Sequence, residues 1–227
     1  MRAPDPHAVP AARLIAAERD AARADLTRYV AACYYEPTEA FAEERLFDAM
    51  AAAAACIDPE LAARAAQLGP AFARQPLDAL LVDYARLFLG PVQARAQPYA
   101  SVWLGHATEL MQAPALDVQA LYAEAGFELA DDFAELPDHV AAELEFLYLL
   151  IHRGNEARWA GQTEAQAKVD GLRRRFLDQH LGRWLGPFLQ TLHEDAQTPF
   201  YEALAELTER LVRLEAAVDG LAPAPVG

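Results

Sequence analysis

Proline and glycine cut this chain into helical lengths, and nothing between the cuts reads as a strand. Ala, Leu, Glu, Arg and Gln are abundant, Val, Ile and Thr are sparse, and no β-branched alternating run of strand length occurs. The intervals between breakers are about 12–20 residues, the span of an ordinary globular helix. The reading is therefore an all-α fold. At 227 residues it makes one large helical domain with a core of its own, needing neither disulfide nor metal for stability.

Helical periodicity predicts a first helix over 13–35, with Leu14, Leu26, Tyr29, Val30 and Cys33 on its apolar side. Glu36-Pro37 breaks it, and Thr38 is placed to cap a second helix ending near Ala55. Asp58-Pro59 is a cap followed by proline at the first helical position, opening a third helix to about Phe72. A fourth, 77–88, gathers Leu80, Leu81, Tyr84, Leu87 and Phe88 on one broad face. "GPVQARAQPYASVWLG" follows as a long loop; its Tyr99 and Trp103 argue against disorder. Helices are predicted near 102–111 and 117–126. Another over 137–152 is apolar nearly all round and therefore central. Further helices are predicted over 163–184 (with a bend at "HLGRW"), 186–194 and 199–214. Residues 1–12 read as a flexible segment, 13–216 as the helical domain and 217–227 as a disordered tail.

Net charge is −15, which argues against nucleic acid as a partner. The charge is uneven. From Ala96 to His152 there is no Lys or Arg, whereas ten acids fall there: Glu109, Asp117, Glu124, Glu128, Asp131, Asp132, Glu135, Asp138, Glu143 and Glu145. Such a region is either a solvated acidic surface or a field that attracts cationic peptides. The start carries no export signal, and no run of about 18 apolar residues occurs to span a membrane. A cytoplasmic location is expected. Cys33 and Cys56 read as two buried, reduced thiols.

"ELPDHVAAELEFL", Glu135 to Leu147, is the most unusual passage. Pro137 suits a first helical turn, Asp138 would sit beside the positive end of the helix dipole, and His139 and Glu143 share a face. Four readings are open: a metal site, an acid–base pair, a polar helix start, or a recognition lip for something basic. Metal needs three or more ligands, and only two are in register. No nucleophile motif accompanies an acid–base pair. "GLRRRF", 171–176, reads as a solvated face or as salt-bridge partners of the acidic stretch.

Four motifs in order resemble one family: "YARLFLG", "PYASVW", "ELPDHVAAELEFL" and "FLDQHLGRWLGPF", reaching from Tyr84 to Phe188. They look like the TorD/DmsD/NarJ-type redox-enzyme maturation proteins, the dedicated chaperones of molybdoenzymes. The resemblance implies a single-domain bundle of roughly nine to eleven helices, no catalytic chemistry and no resident cofactor. It also implies partners: the twin-arginine signal peptide and the apo catalytic subunit of a molybdenum oxidoreductase, held until the molybdopterin cofactor is inserted. Carried over by residue, the peptide groove would involve Tyr84, Leu87, Phe88, Pro98, Tyr99, Ser101 and Trp103. Glu135, Pro137, Asp138 and His139 would form the facing lip. One departure is Leu136, which separates Glu135 from Pro137 where the family pattern has them adjacent. The rival reading is a helical metal- or cofactor-binding enzyme centred on His139 and Glu143. The sequence leaves the oligomeric state open, a helix-exchanged homodimer included.

Overall fold

The computed structural model describes residues 11–89, 94–104, 113–129 and 135–218. The expectations for residues 1–10, for the loop 90–93, for the helix beyond Leu104, for 130–134 and for the tail from 219 lie outside them. Among the described residues the chain is all-α. Its helices are α1 Ala11–Ala32, α2 Ala40–Glu43, α3 Leu46–Ile57, α4 Pro59–Ala73, α5 Leu77–Phe88, α6 Ala100–Leu104, α7 Ala113–Ala125, α8 Val140–Trp159, α9 Thr163–Phe176, α10 Gly182–Asp195 and α11 Pro199–Val218. Helix α1 lies against α8 and α3. Helix α4 joins α3 to α11, α9 follows α8, and α10 packs on α11.

Helix α8 is central for the reason its sequence gives. Val140, Ala141, Ala142, Leu144, Phe146, Leu147, Leu150 and Ile151 are all buried, which leaves its first three turns only a narrow, half-buried strip at Glu145, Tyr148 and Leu149. Two aromatic clusters flank it. Tyr34, Phe88, Phe188 and Tyr201 meet at centroid distances of 5.5–6.4 Å. Tyr122, Phe146 and Phe176 of α7, α8 and α9, with Phe127 just past α7, meet at 4.6–5.6 Å.

Several boundaries differ from expectation, each for a local reason. The second predicted helix is split, because Arg45 takes a left-handed backbone (φ 58°) between α2 and α3; the Thr38 side chain caps neither piece. Leu14 is exposed rather than on the apolar side. Asp58 caps α4 as expected, accepting from the Leu61 amide at 3.0 Å. Cys33 is buried, but Cys56 is exposed. The break expected before Gly186 is absent. Helices α9 and α10 instead run on through a π-helical turn, Leu177–Leu181. That wider turn brings the Leu177 carbonyl against Gly182, where any Cβ would collide with it. The turn also re-aims His180 and Trp184 toward α8.

In "GLRRRF", Arg175 pairs with Glu124 of the acidic stretch, as one reading had it. Arg173 departs from both. It is buried, and its Nη1 donates to Glu215 at 3.1 Å, beside Arg23.

Candidate functional site

The corner begins with a piece of backbone pairing that no helix pattern announces. Tyr99 and His139 form an isolated antiparallel bridge. The Ala100 amide donates to the Asp138 carbonyl at 2.9 Å, and the Val140 amide to the Pro98 carbonyl at 2.8 Å. The segment before α6 is thereby laid along the segment before α8. Pro98 suits this arrangement, because it lacks an N–H and contributes only its carbonyl.

This pairing moves the start of α8. Pro137 and Asp138 lie before the helix rather than in its first turn, and His139 is the cap. Its Nδ1 accepts from the Ala141 amide at 3.1 Å, so the proton of the neutral ring sits on Nε2. Tyr35 stacks on the imidazole (6.1 Å, 12°) and Tyr99 meets it edge-on (5.2 Å, 71°). Burial pushes the His139 pKa down to about 4, against the pull of Glu135 and Asp138. The positive end of α8 works in the same direction.

Asp138 does for α6 what the sequence assigned it for α8. It is fully buried, and its Oδ2 accepts from the Ser101 amide at 2.8 Å. Its Oδ1 has no hydrogen-bond partner. Pro137 is tied to α7 through its carbonyl, which accepts from the Tyr122 hydroxyl at 2.8 Å.

Around this frame stand tyrosines and glutamates. The Tyr99 hydroxyl donates to Glu135 Oε2 at 2.6 Å, and the Tyr35 hydroxyl to Glu145 Oε1 at 2.9 Å. Tyr84 lies close enough to Glu135 and Glu36 for their charges, after burial, to hold its phenol protonated, up to about 12. Burial likewise raises Tyr35 and Tyr99, so all three act as donors. Glu145 is also shifted up by burial, less so for its bond to Tyr35. Leu136 (56% exposed) and Val102 (38%) put apolar side chains at the edge of the same segments.

The residues expected at a groove thus fall into three groups. Pro98, Tyr99, Ser101, Glu135, Pro137, Asp138 and His139 are brought together, with Tyr99 and Glu135 at the surface and Asp138 and His139 beneath. Trp103 is half-buried nearby; its Nε1 donates to the Gln97 carbonyl at 2.8 Å and its ring meets Phe188. Tyr84, Leu87 and Phe88 are all buried in the core. Tyr35 was missed; it is the second tyrosine of "YYEP", just after α1, and only the approach of α1 to α8 puts it over His139. Clefts of about 620 and 440 Å³ lie between α4, α10 and α11, and none of these residues lines them.

His139 and Glu143 do not converge. Both Glu143 oxygens are engaged, accepting from His180 Nε2 at 2.8 Å and Trp184 Nε1 at 3.0 Å. Among the described residues no group of three or more His, Cys, Asp or Glu is arranged to hold a metal ion. The sequence could not pair His180 with Glu143; the two are 37 residues apart and meet through the π-turn.

The depressed histidine sets a pH dependence. The unfolded chain protonates His139 near 6.5 and the folded one only near 4. Its contribution to stability is therefore full above 6.5 and lost as pH falls toward 4, at up to about 1.4 kcal/mol per pH unit. Glu143 and Glu145, both raised, act with the opposite sign: their contribution is present at low pH and lost as pH rises through their folded values. His139→Asn keeps a capping acceptor and removes the titration. Urea unfolding at pH 7.0 and 5.0 should show a smaller acid loss in this variant than in the natural protein; equal losses would mean that His139 is protonated in the fold.

Residues 54–190 match the family described as nitrate reductase delta subunit. The TorD chaperone proteins of Vibrio atlanticus and Photobacterium profundum are 31% and 32% identical over 136 and 140 residues, 60% and 61% of this chain. Those matches span 62% of each relative. The TorD chaperone of Salmonella arizonae is 33% identical over 162 residues, 69% of this chain and 70% of that protein. A solved Archaeoglobus fulgidus chain, described as a candidate redox enzyme maturation protein, covers 86% of this chain at 19% identity and a TM-score of 0.49. By sequence the chain belongs to the nitrate reductase delta subunit family, the group of TorD-like maturation chaperones that its four motifs resemble.

Proposed function

We propose that this protein is an assembly chaperone for a molybdenum oxidoreductase. It binds the twin-arginine signal peptide and the apo catalytic subunit, and holds them for cofactor insertion before export. The work is done in the cytoplasm by the helical domain, residues 13–216. No described helix is long and apolar enough to cross a membrane.

One observation carries this reading. Glu36, Glu135 and Glu145 gather at a corner beside Tyr35 and Tyr99, with buried Tyr84 beneath, and none of these carboxylates pairs with a cation among the described residues. Elsewhere the arginines of this chain find acids readily, as Arg23, Arg64, Arg158 and Arg210 do. Carboxylates gathered without a cation suit a cationic guest. Arginine suits them best, through charge-assisted and often bidentate bonds. Exposed Leu136 and Val102 offer the adjoining apolar surface that a leader's hydrophobic run requires.

Calorimetry with a synthetic peptide bearing two adjacent arginines and an apolar run tests the reading. Glu135→Gln should weaken binding by about 10-fold or more, the value of one charged hydrogen bond. Affinity that does not change in the variant removes Glu135 from the site. The client is tested separately by co-purification from the native host, which should bring down a large molybdenum-enzyme subunit.

A further inference from the structure

The Tyr99–Glu135 contact has a consequence for how any guest leaves. The hydroxyl sits 2.6 Å from Glu135 Oε2, so in the guest-free protein the surface carboxylate already has an internal donor. The ring is not wedged in the core: it is half-buried, standing edge-on to His139. Its backbone is fixed by the bridge to His139, so the side chain can swing while the segment stays in place. Burial and the neighbouring carboxylates keep the phenol protonated, hence a donor at neutral pH. Behind it, buried Asp138 retains one oxygen without a partner.

We propose that Tyr99 is a built-in competitor at this site: its hydroxyl holds Glu135 in the empty protein, yields it to an incoming guanidinium, and reclaims it as the guest departs. The inference rests on the peptide-binding reading above. Physically it is an exchange. The single bond from an uncharged phenol gives way to an ion pair with a guanidinium, which carries a full positive charge and can donate two parallel bonds, so binding stays favourable. The displaced phenol remains tethered beside Glu135 at high effective concentration, so each transient loosening of the guest is met by a competitor already in place. A maturation chaperone must let go of its client, and this contact supplies a release step within the binding site itself.

The two ends of this single bond predict opposite results. Tyr99→Phe keeps the ring against His139 and removes the donor. It should tighten the arginine peptide by about 3- to 10-fold, the factor equivalent to one net hydrogen bond. Most of that change should fall in the dissociation rate, read by surface plasmon resonance. Glu135→Gln should weaken the same peptide. A bond that merely supports the fold would move both variants in the same direction. Circular dichroism checks folding, and Tyr99→Leu, which also lacks the donor, stands in should the Phe variant unfold. If the natural protein binds and the Tyr99 variant binds equally or more weakly, the competitor role is overturned and the peptide reading survives. If the natural protein and both variants all fail to bind, both fall.

Discussion

Glu215→Ala is expected to lower the unfolding free energy by about 3–5 kcal/mol, a large part of the 5–15 kcal/mol that holds a typical domain together. Glu215 is 1% exposed and serves two buried arginines. Arg23 grips it with two bonds, 2.8 and 2.5 Å, and Arg173 adds a third at 3.1 Å. Asp20 extends the network, accepting from Arg23 at 3.4 Å and Arg158 at 2.8 Å. Four helices, α1, α8, α9 and α11, are thereby joined by charge. Removing the central carboxylate leaves two guanidinium groups buried with their main counter-ion gone, and their desolvation is then uncompensated. Replacing Arg23, Arg173 and Glu215 together by Met and Leu should restore much of the loss, because the desolvation of all three disappears with them. Urea titration checks both variants. A loss under 1 kcal/mol for Glu215→Ala would show the network to be solvated.

The second large effect is expected at Glu143. This carboxylate is fully buried and joins α8 to the π-turn and α10 through His180 and Trp184. Glu143→Ala leaves two buried donors without an acceptor and opens a cavity, for a loss of about 3–6 kcal/mol. Glu143→Gln keeps one acceptor oxygen and should lose far less. Burial raises the Glu143 pKa despite its two donors, so the ionised form is the one the fold disfavours. The amide lacks that penalty, and its advantage over Ala should therefore persist as pH rises. The urea midpoint and the near-ultraviolet signal of Trp184 report this directly. An Ala variant as stable as the natural protein would mean that the two donors reach other acceptors.

Much of the helical plan was legible because it follows from local chemistry. Asp58-Pro59 opens α4 by capping alone, and Leu77–Phe88 is bounded by Pro76 and the extended backbone of Leu89. The central position of α8 follows from its being apolar nearly all round over three turns. What was misread involved competition between distant segments. Pro137 and Asp138 look like a first helical turn, yet residues 98–100 claim that backbone for pairing, and the cap passes to His139. Asp138 then caps a helix 37 residues away. "HLGRWLGPF" looks broken by its glycines and proline, yet a π-turn carries the helix through, because Gly182 fits against the Leu177 carbonyl.

The site divides in the same way. Motifs between Tyr84 and Phe188 were enough to name the kind of protein and most of the residues at the corner. They could not separate surface from floor: Tyr99 and Glu135 face outward while Asp138, His139, Leu87 and Phe88 are buried, and burial depends on what the rest of the chain lays on top. Nor could they find Tyr35, which follows α1 by three residues and reaches His139 only because α1 packs along α8.

Most helical segments, their apolar faces and the surplus of acid could be read from the chain, because propensity, capping and charge act over a few residues. Which carboxylates meet buried arginines and which meet tyrosine hydroxyls was settled by packing. That outcome is fixed by contacts across more than a hundred residues, Arg23 with Glu215 and Tyr35 with Glu145, where no local pattern reaches.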